Sequence, residues 1–381
     1  MTAGFASLSG LRVLMNADAV GGVFSYAATL ARGLCGAGVG VTLVLQGPPM
    51  RNAQRAALAA TSGLRVIETD LDLEWRDIEG RDASRARATL ERIARDVRPE
   101  MVHLNSYREA MADLNAPTLV VSHSCVSSWW RACRGGAPAA AWDRYGAGVR
   151  TGLDAADAWA APTRAFRDEI AALYDPRTGG HVVHNGVAPV AAPGPKKPLV
   201  LAAGRLWDEG KDVRTIAAAA SRIQWPVEIA GATRNEQGHE VDGGAARLLG
   251  EVPHDALLAR MGEAAIFASA AVYEPFGLAV CEAAASGCAL VLADTATSRE
   301  LWDGAAVFFA PRDADHLAAQ VNRLAEDAAE RERLGALAKA RATRYGAHRM
   351  TVNTAALYRA LLDAPASARP LSAHSLAELR A

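Results

Sequence analysis

The chain has 381 residues, 50% hydrophobic and 22% charged, which excludes disordered, collagen-like and low-complexity classes and is long enough for more than one core. Lys and Arg number 41 against 42 Asp and Glu, a formal net charge of -1, so bulk charge gives no reason to expect a nucleic-acid partner. Five scattered cysteines (Cys35, Cys125, Cys133, Cys281, Cys288) lack zinc-ligand spacing and fit reduced thiols in a cytoplasmic protein; no secretory leader is visible, and no apolar run reaches the roughly 18–20 residues of a membrane span.

Short apolar runs alternate with alanine-rich helical stretches along the chain. Strands are predicted at Leu11–Asn16, Val41–Leu45, Leu64–Glu68, Met101–Leu104, Thr118–Ser122, Ala158–Ala161 and His181–His184. A second series is predicted at Leu199–Ala203, Val227–Ala230, Arg247–Gly250, Ala265–Ala268, Ala289–Ala293 and Ala305–Phe309. Most are continuous apolar runs, the pattern of strands covered by helices on both faces of a parallel sheet. Helices are expected between them, among others at Val23–Leu34, Ala86–Val97, Arg164–Leu173, Val213–Ile223 and Asp315–Ala325. The expected fold class is therefore α/β, with two doubly wound Rossmann-like domains.

Pro189, Pro193, Pro195 and Pro198 crowd one stretch, PVAAPGPKKP, which is expected to hold neither helix nor internal strand. This divides the chain into a first domain over residues 1–190, a linker over 191–198 and a second domain over 199–349, with a tail over 364–381. Ligands of open α/β sheets bind at the carboxyl ends of strands, so two such sheets facing each other would share an interdomain cleft.

The most informative stretch is Tyr273-Glu-Pro-Phe-Gly-Leu-Ala-Val-Cys-Glu282-Ala-Ala-Ala-Ser-Gly287. A helix should start near Leu278, which leaves the amides of Phe276, Gly277 and Leu278 suited to an anion or to sugar hydroxyls. Glu274 in the loop and Glu282 one turn into the helix could each accept hydrogen bonds from a pair of hydroxyls. The plainer alternative is a loop carboxylate and a solvated first-turn acid. The second stretch is Gly204-Arg205-Leu206-Trp207-Asp208-Glu209-Gly210-Lys211, directly after the first strand of the second domain. The chain has only four lysines, Lys196, Lys197, Lys211 and Lys339. A lysine at a helix entry opposes the helix dipole and calls for an anion. That anion is either a diphosphate or the neighbours Asp208, Glu209 and Asp212.

In the first domain, Asp18-Ala-Val-Gly21-Gly22 follows the first strand and would let backbone approach a ligand closely. His123 ends the run TLVVSHS at a strand's carboxyl end, where a structural role is the common alternative. Trp129 and Trp130 either line an acceptor pocket or simply pack, and Asn185-Gly186-Val187 reads most simply as a turn.

Taken together these residues resemble the family 4 glycosyltransferases, retaining, nucleotide-sugar-dependent enzymes of the GT-B fold. The resemblance runs from about residue 10 to 362 through Gly21-Gly22, His123, Pro162-Thr163-Arg164, Asn185-Gly186-Val187, Gly204-Arg205 to Lys211, and Glu274 to Glu282. It implies that Arg205 and Lys211 hold the donor diphosphate and that Glu282 takes the nucleotide ribose. Glu274, with the amides of Phe276, Gly277 and Leu278, would hold the donor sugar. By the same resemblance Gly21 and Gly22 lie near the phosphates, His123 contacts the sugar near its reacting carbon, and the base rests near Glu251 and Val252. His123, Arg205, Lys211 and Glu274 are then the catalytic set, and a helix over 350–363 returns to the first domain. Acceptor-side candidates are Asp18, Tyr26, Trp129 and Trp130.

Ala188 stands where the family often has Asp, and Phe24-Ser25-Tyr26 replaces a polar or basic residue often found after Gly-Gly. Both departures bear on the acceptor, which stays open between a glycan, a lipid-linked molecule and a small molecule. Peripheral membrane association is likewise open. No Asp-rich metal-binding stretch is read in the sequence, so no metal or other cofactor is expected beyond the nucleotide-sugar co-substrate. The rival readings are a nucleotide-sugar 2-epimerase of the same fold, a silent partner of a glycosyltransferase, and a nicotinamide dehydrogenase; the last lacks Gly-X-Gly-X-X-Gly after the first strand.

Overall fold

A computed structural model describes residues 8–190, 194–234 and 241–364. Pro193 of the expected linker and the expected tail from residue 365 onward lie outside the described residues.

The chain opens with β1 (Arg12–Asp18), α1 (Gly21–Gly36), β2 (Gly40–Gln46), α2 (Asn52–Ala59), β3 (Leu64–Glu68), α3 (Ala83–Val97) and β4 (Met101–Leu104). It continues through β5 (Thr118–Val121), α4 (Val126–Arg134), α5 (Asp143–Ala155), β6 (Ala158–Ala161), α6 (Arg164–Tyr174) and β7 (His181–Val182). The second series is β8 (Lys197–Ala203), α7 (Val213–Ala220), β9 (Val227–Ala230), β10 (Arg247–Gly250), α8 (His254–Glu263) and β11 (Ala264–Ser269). It ends with α9 (Leu278–Ala285), β12 (Ala289–Ala293), α10 (Ala296–Trp302), β13 (Ala306–Phe309), α11 (Ala314–Glu326), α12 (Ala328–Ala342) and α13 (Ala347–Asp363).

Two compact units result. Within the described residues one takes 8–131, 136–186 and 347–364, and the other takes 132–135, 187–190, 194–234 and 241–346. The first unit holds a parallel sheet in the order β3-β2-β1-β4-β5-β6-β7, and the second a parallel sheet in the order β10-β9-β8-β11-β12-β13. Strand order reverses once in each, between β1 and β4 and between β8 and β11. At such a point the two following loops run to opposite faces and leave a crevice beyond the strand ends.

Burial explains the continuous apolar runs. In β8, Val200 and Ala202 pack on one face of the sheet with Val213, Ile216 and Leu317. Leu199 and Leu201 pack on the other with Val280, Cys281 and Trp302. Alternation along the strand therefore buries both side-chain sets, each large apolar group contributing about 1.5–3 kcal/mol. In the first unit, α13 returns through Met350, Ala355, Leu357 and Tyr358 onto a core that includes Tyr26, Leu30 and Leu34 of α1.

Several elements differ in length from their sequence reading. β1, β2 and β8 extend into flanking polar residues, because ladder hydrogen bonds do not depend on side-chain polarity. Pro198 therefore lies inside β8, one residue past its start, where the pairing with β11 shifts register between Ala264 and Ile266. A proline is tolerated at a strand's first residues or at such an irregularity. β7 stops at Val182, and the His184 imidazole Nδ1–H donates to the Pro162 carbonyl at 2.7 Å. α7 stops at Ala220, three residues short of the expected Ile223. No helix among the described residues is long and apolar enough to cross a membrane.

Candidate active site

The reversal between β8 and β11 brings together the charged residues singled out in the second unit. After β8 the chain passes Arg205 and Asp208 into a 3-10 turn over Glu209–Lys211. Asp208 caps that turn, its carboxylate accepting from the Gly210 amide at 2.9 Å. After β11 the chain passes Tyr273 and Glu274 to Gly277, whose φ of 86° begins α9. The two loops are fastened to each other. The Tyr273 amide donates to the Gly210 carbonyl at 3.1 Å. The Lys211 ammonium donates to Oε2 of Glu274, with both side chains about four-fifths buried.

Lys211 is thus compensated by Glu274 and not by Asp208, Glu209 or Asp212, the local alternatives the sequence left open. Asp208 instead pairs with the exposed Arg205, at 2.8 Å. Glu282, on the fifth residue of α9, accepts at Oε1 from Nε2 of His254 at 2.8 Å. That carboxylate raises the His254 pKa above its ordinary value. Glu251 and Val252 lie in the turn between β10 and α8, followed by Pro253 and His254. Phe276 is buried against Tyr345, while Leu278 opens α9, whose first-turn amides have no carbonyl a turn behind them.

Gly231 is a site residue that pattern reasoning missed. Its φ is 145°, and a Cβ there would stand 1.7 Å from the carbonyl oxygen of Gly204. The Gly204 amide donates to the Ala230 carbonyl at 3.0 Å, and the Gly231 amide to the Gly250 carbonyl at 2.8 Å. One glycine therefore lets the ends of β8, β9 and β10 close up beneath Arg205. Its only sequence signal is a glycine directly after a strand, as in many turns. His254, exposed at the start of α8, had no signal at all.

In the first unit the reversal between β1 and β4 gathers polar groups. Asn16, fully buried in β1, donates from Nδ2 to Ser106 Oγ at 2.6 Å and accepts at Oδ1 from the Asn105 amide at 2.8 Å. The Asn105 side chain donates to the Asn16 carbonyl at 2.6 Å, which turns its own Oδ1 to His123 Nε2 at 2.7 Å. Nε2 of His123 therefore carries the proton, and Nδ1 is left as an acceptor. Tyr26 lies edge-on to His123 with ring centroids 4.4 Å apart. It is only 2% exposed, so it supports that ring from the core side. Burial, with His103 nearby, pushes the His123 pKa down to about 3. Burial pushes that of His103 down to about 3 as well.

Asp18 ends β1 and accepts at Oδ2 from the Trp75 indole at 3.1 Å, while Gly21 and Gly22 open α1. Trp129 and Trp130, half-buried on α4, meet edge to face with centroids 6.3 Å apart. Thr163 caps α6, accepting from the Phe166 amide at 3.2 Å. A surface hollow of about 510 Å³ between β3 and α3 contains none of these residues.

Two parallel α/β units with these crevice loops are the architecture of a GT-B glycosyltransferase. The comparisons agree with that class. Residues 20–190 match the family described as Glycosyltransferase Family 4, and residues 197–327 match Glycosyl transferases group 1. The chain belongs to the family 4 glycosyltransferases. Among solved structures it is similar to sucrose-phosphate synthase from Thermosynechococcus elongatus, at 17% identity, with 93% of this chain and 100% of that chain covered and a TM-score of 0.77. It is also similar to HepE of Anabaena in complex with UDP and glucose, at 15% identity, 92% and 100% coverage and a TM-score of 0.72. A glycosyltransferase from Rickettsia africae aligns at 14% identity, 93% and 99% coverage and a TM-score of 0.70. No curated protein matches the chain.

Two expectations follow from this geometry. Gly231→Ala forces the β9 turn against the Gly204 carbonyl and should destabilise the protein by more than about 2 kcal/mol, read from urea unfolding midpoints. His103 and His123 have folded pKa values lowered below the ordinary value of about 6.5, so the unfolded chain binds more protons between about pH 6.5 and 3. Stability should therefore fall as pH drops through that window. His123→Gln should flatten the slope by up to one proton, measured by chemical denaturation at a series of pH values.

Proposed function

We propose that this protein is a retaining glycosyltransferase that moves a sugar from a nucleoside-diphosphate sugar to an acceptor hydroxyl without a metal ion. The observation that carries the reading is the meeting of Lys211 and Glu274 at the β8–β11 reversal, with Arg205 on the first loop and Glu282 in the helix that follows the second. A planar guanidinium and a compact ammonium suit a diphosphate leaving group. A carboxylate one turn into α9 suits a vicinal diol such as ribose, and Glu274 suits the hydroxyls of the donor sugar. The complex of HepE with UDP and glucose is the kind of ligand pair this arrangement fits.

In this reading the bond from the anomeric carbon to the diphosphate oxygen breaks as the acceptor oxygen approaches on the same face. Negative charge grows on the departing phosphate, where Arg205 and Lys211 stabilise it, and that phosphate takes the acceptor's proton. The products are the glycosylated acceptor and a nucleoside diphosphate. Preorganised cations of this kind act on the charge that develops in the transition state.

The two carboxylates should separate in a binding experiment. By calorimetry, Glu282→Ala weakens binding of the free nucleoside diphosphate. Glu274→Ala leaves it at least as tight, because it releases Lys211, and impairs only sugar-dependent steps. Equal losses in both variants would overturn the assignment. Arg205→Ala and Lys211→Ala should each lower turnover by about 10²–10³, as for removal of one preorganised donor. The wild type should keep its activity in EDTA; loss with chelator and recovery with magnesium would sink the metal-free reading.

A further inference from the structure

The segment between β3 and α3 has no regular structure, yet it is held at many points. The Thr69 amide and hydroxyl both donate to the Leu45 carbonyl, at 3.0 and 2.8 Å. The Gly47 amide donates to the Leu71 carbonyl at 2.8 Å. Leu71 and Leu73 are each 1% exposed. The Glu74 carboxylate accepts from the Tyr107 and Arg108 amides, at 2.8 Å each, and the Arg108 guanidinium reaches the Asp72 carbonyl at 2.5 Å. The loop is therefore fastened to the ends of β2 and β4.

On this fixed loop Trp75 points outward, 37% exposed, one of two large apolar side chains left exposed among the described residues. Nothing in the core requires it there, and exposing an indole gives up burial that favours folding. Its orientation is nonetheless specified, because its N–H donates to Asp18 Oδ2 at the end of β1, beside the β1–β4 reversal. The Arg76 guanidinium lies over the ring, its Cζ 5.5 Å from the indole centroid, and so occupies one of its two faces. The opposite face, with the Asp18 carboxylate at the N–H edge, matches a pyranose ring, whose C–H face is apolar and whose hydroxyls both donate and accept. A polyprenyl chain would need a continuous apolar surface, and a single ring between two charges does not supply one.

We propose that Trp75 and Asp18 form a sugar-binding platform, and that the acceptor is accordingly a carbohydrate. This rests on the glycosyltransferase reading above and names the acceptor class for it. The indole stacks on one face of the acceptor ring, and Asp18 both aims the indole and accepts a hydroxyl.

The test is a titration of the full chain with methyl glucoside, methyl galactoside, methyl mannoside, lactose and maltose. Binding is read as the difference in intrinsic fluorescence between the wild type and Trp75→Phe, and independently by saturation-transfer NMR. The expected result is saturable binding of at least one saccharide. Its affinity should fall at least tenfold in Trp75→Ala and less in Trp75→Phe, which keeps a ring. Asp18→Asn, whose amide oxygen still accepts the indole N–H, should lose affinity several-fold. Melting curves of the variants establish that they are folded. Absence of saccharide binding to the wild type, or equal affinity in wild type and Trp75→Ala, overturns the platform. Binding of UDP, GDP and ADP to the wild type by calorimetry reports separately on the nucleotide-sugar reading. Saccharide binding without any nucleoside diphosphate binding would keep the platform and remove that reading.

Discussion

The contact between Lys211 and Glu274 depends on one topological fact, the reversal of strand order between β8 and β11. Because those strands are neighbours whose loops diverge, a cation that follows one strand and a carboxylate that follows the next can meet although 63 residues separate them. The remaining features of this site serve that meeting. Tyr273 ties the loops through the Gly210 carbonyl, Asp208 shapes the turn that delivers Lys211, and Gly231 lets the neighbouring strand end pass beneath Gly204. A partly buried ion pair is weak grounds for stability, since desolvation offsets much of its attraction. A fold selected for stability alone would gain as much from apolar side chains at both positions. Under the proposed function, the pair is two charges that would meet a ligand and that neutralise each other in its absence.

The same logic covers the other charged groups. Arg205 is held by Asp208 and Glu282 by His254, so each group assigned to the donor already has a partner of opposite charge or a hydrogen-bond donor. Under the proposed function, binding would be an exchange of partners, in which an incoming diphosphate replaces carboxylates around Arg205 and Lys211. Such exchange lowers net affinity, because only the difference between the two sets of contacts is gained. It also keeps the unliganded site free of an uncompensated charge, which would be more costly than a paired one.

Most of the strands were legible because continuous apolar runs bounded by Gly, Pro and Asp leave few alternatives. Ends were less legible, as Pro198 illustrates: its place in β8 depends on a register shift against β11, a partner that local sequence cannot reveal. The site shows the same division. Arg205, Lys211, Glu274 and Glu282 could be picked out because lysine is rare in this chain and the family pattern orders them. That Glu274, and no nearby acid, compensates Lys211 could not be read, since it follows from strand order. Gly231 and His254 were missed for a related reason, as the role of each is defined only by a residue distant in sequence.

The first unit carries a different signature, a buried polar network backed by the buried Arg108–Glu109 ion pair. Asn16, Asn105, Ser106 and His123 connect three strand ends through hydrogen bonds of 2.6 to 2.8 Å, and Glu109, fully buried, accepts from Arg108 and Gln46 behind them. Networks of this kind contribute little net stability, and a single broken member leaves a buried polar group unsatisfied. What they supply is position. With the side-chain oxygen, the side-chain nitrogen and the backbone amide of Asn105 committed, His123 has one tautomer and one ring orientation, and its depressed pKa keeps it neutral at ordinary pH. A neutral imidazole fixed in this way can accept a single hydrogen bond, at Nδ1, in a defined place.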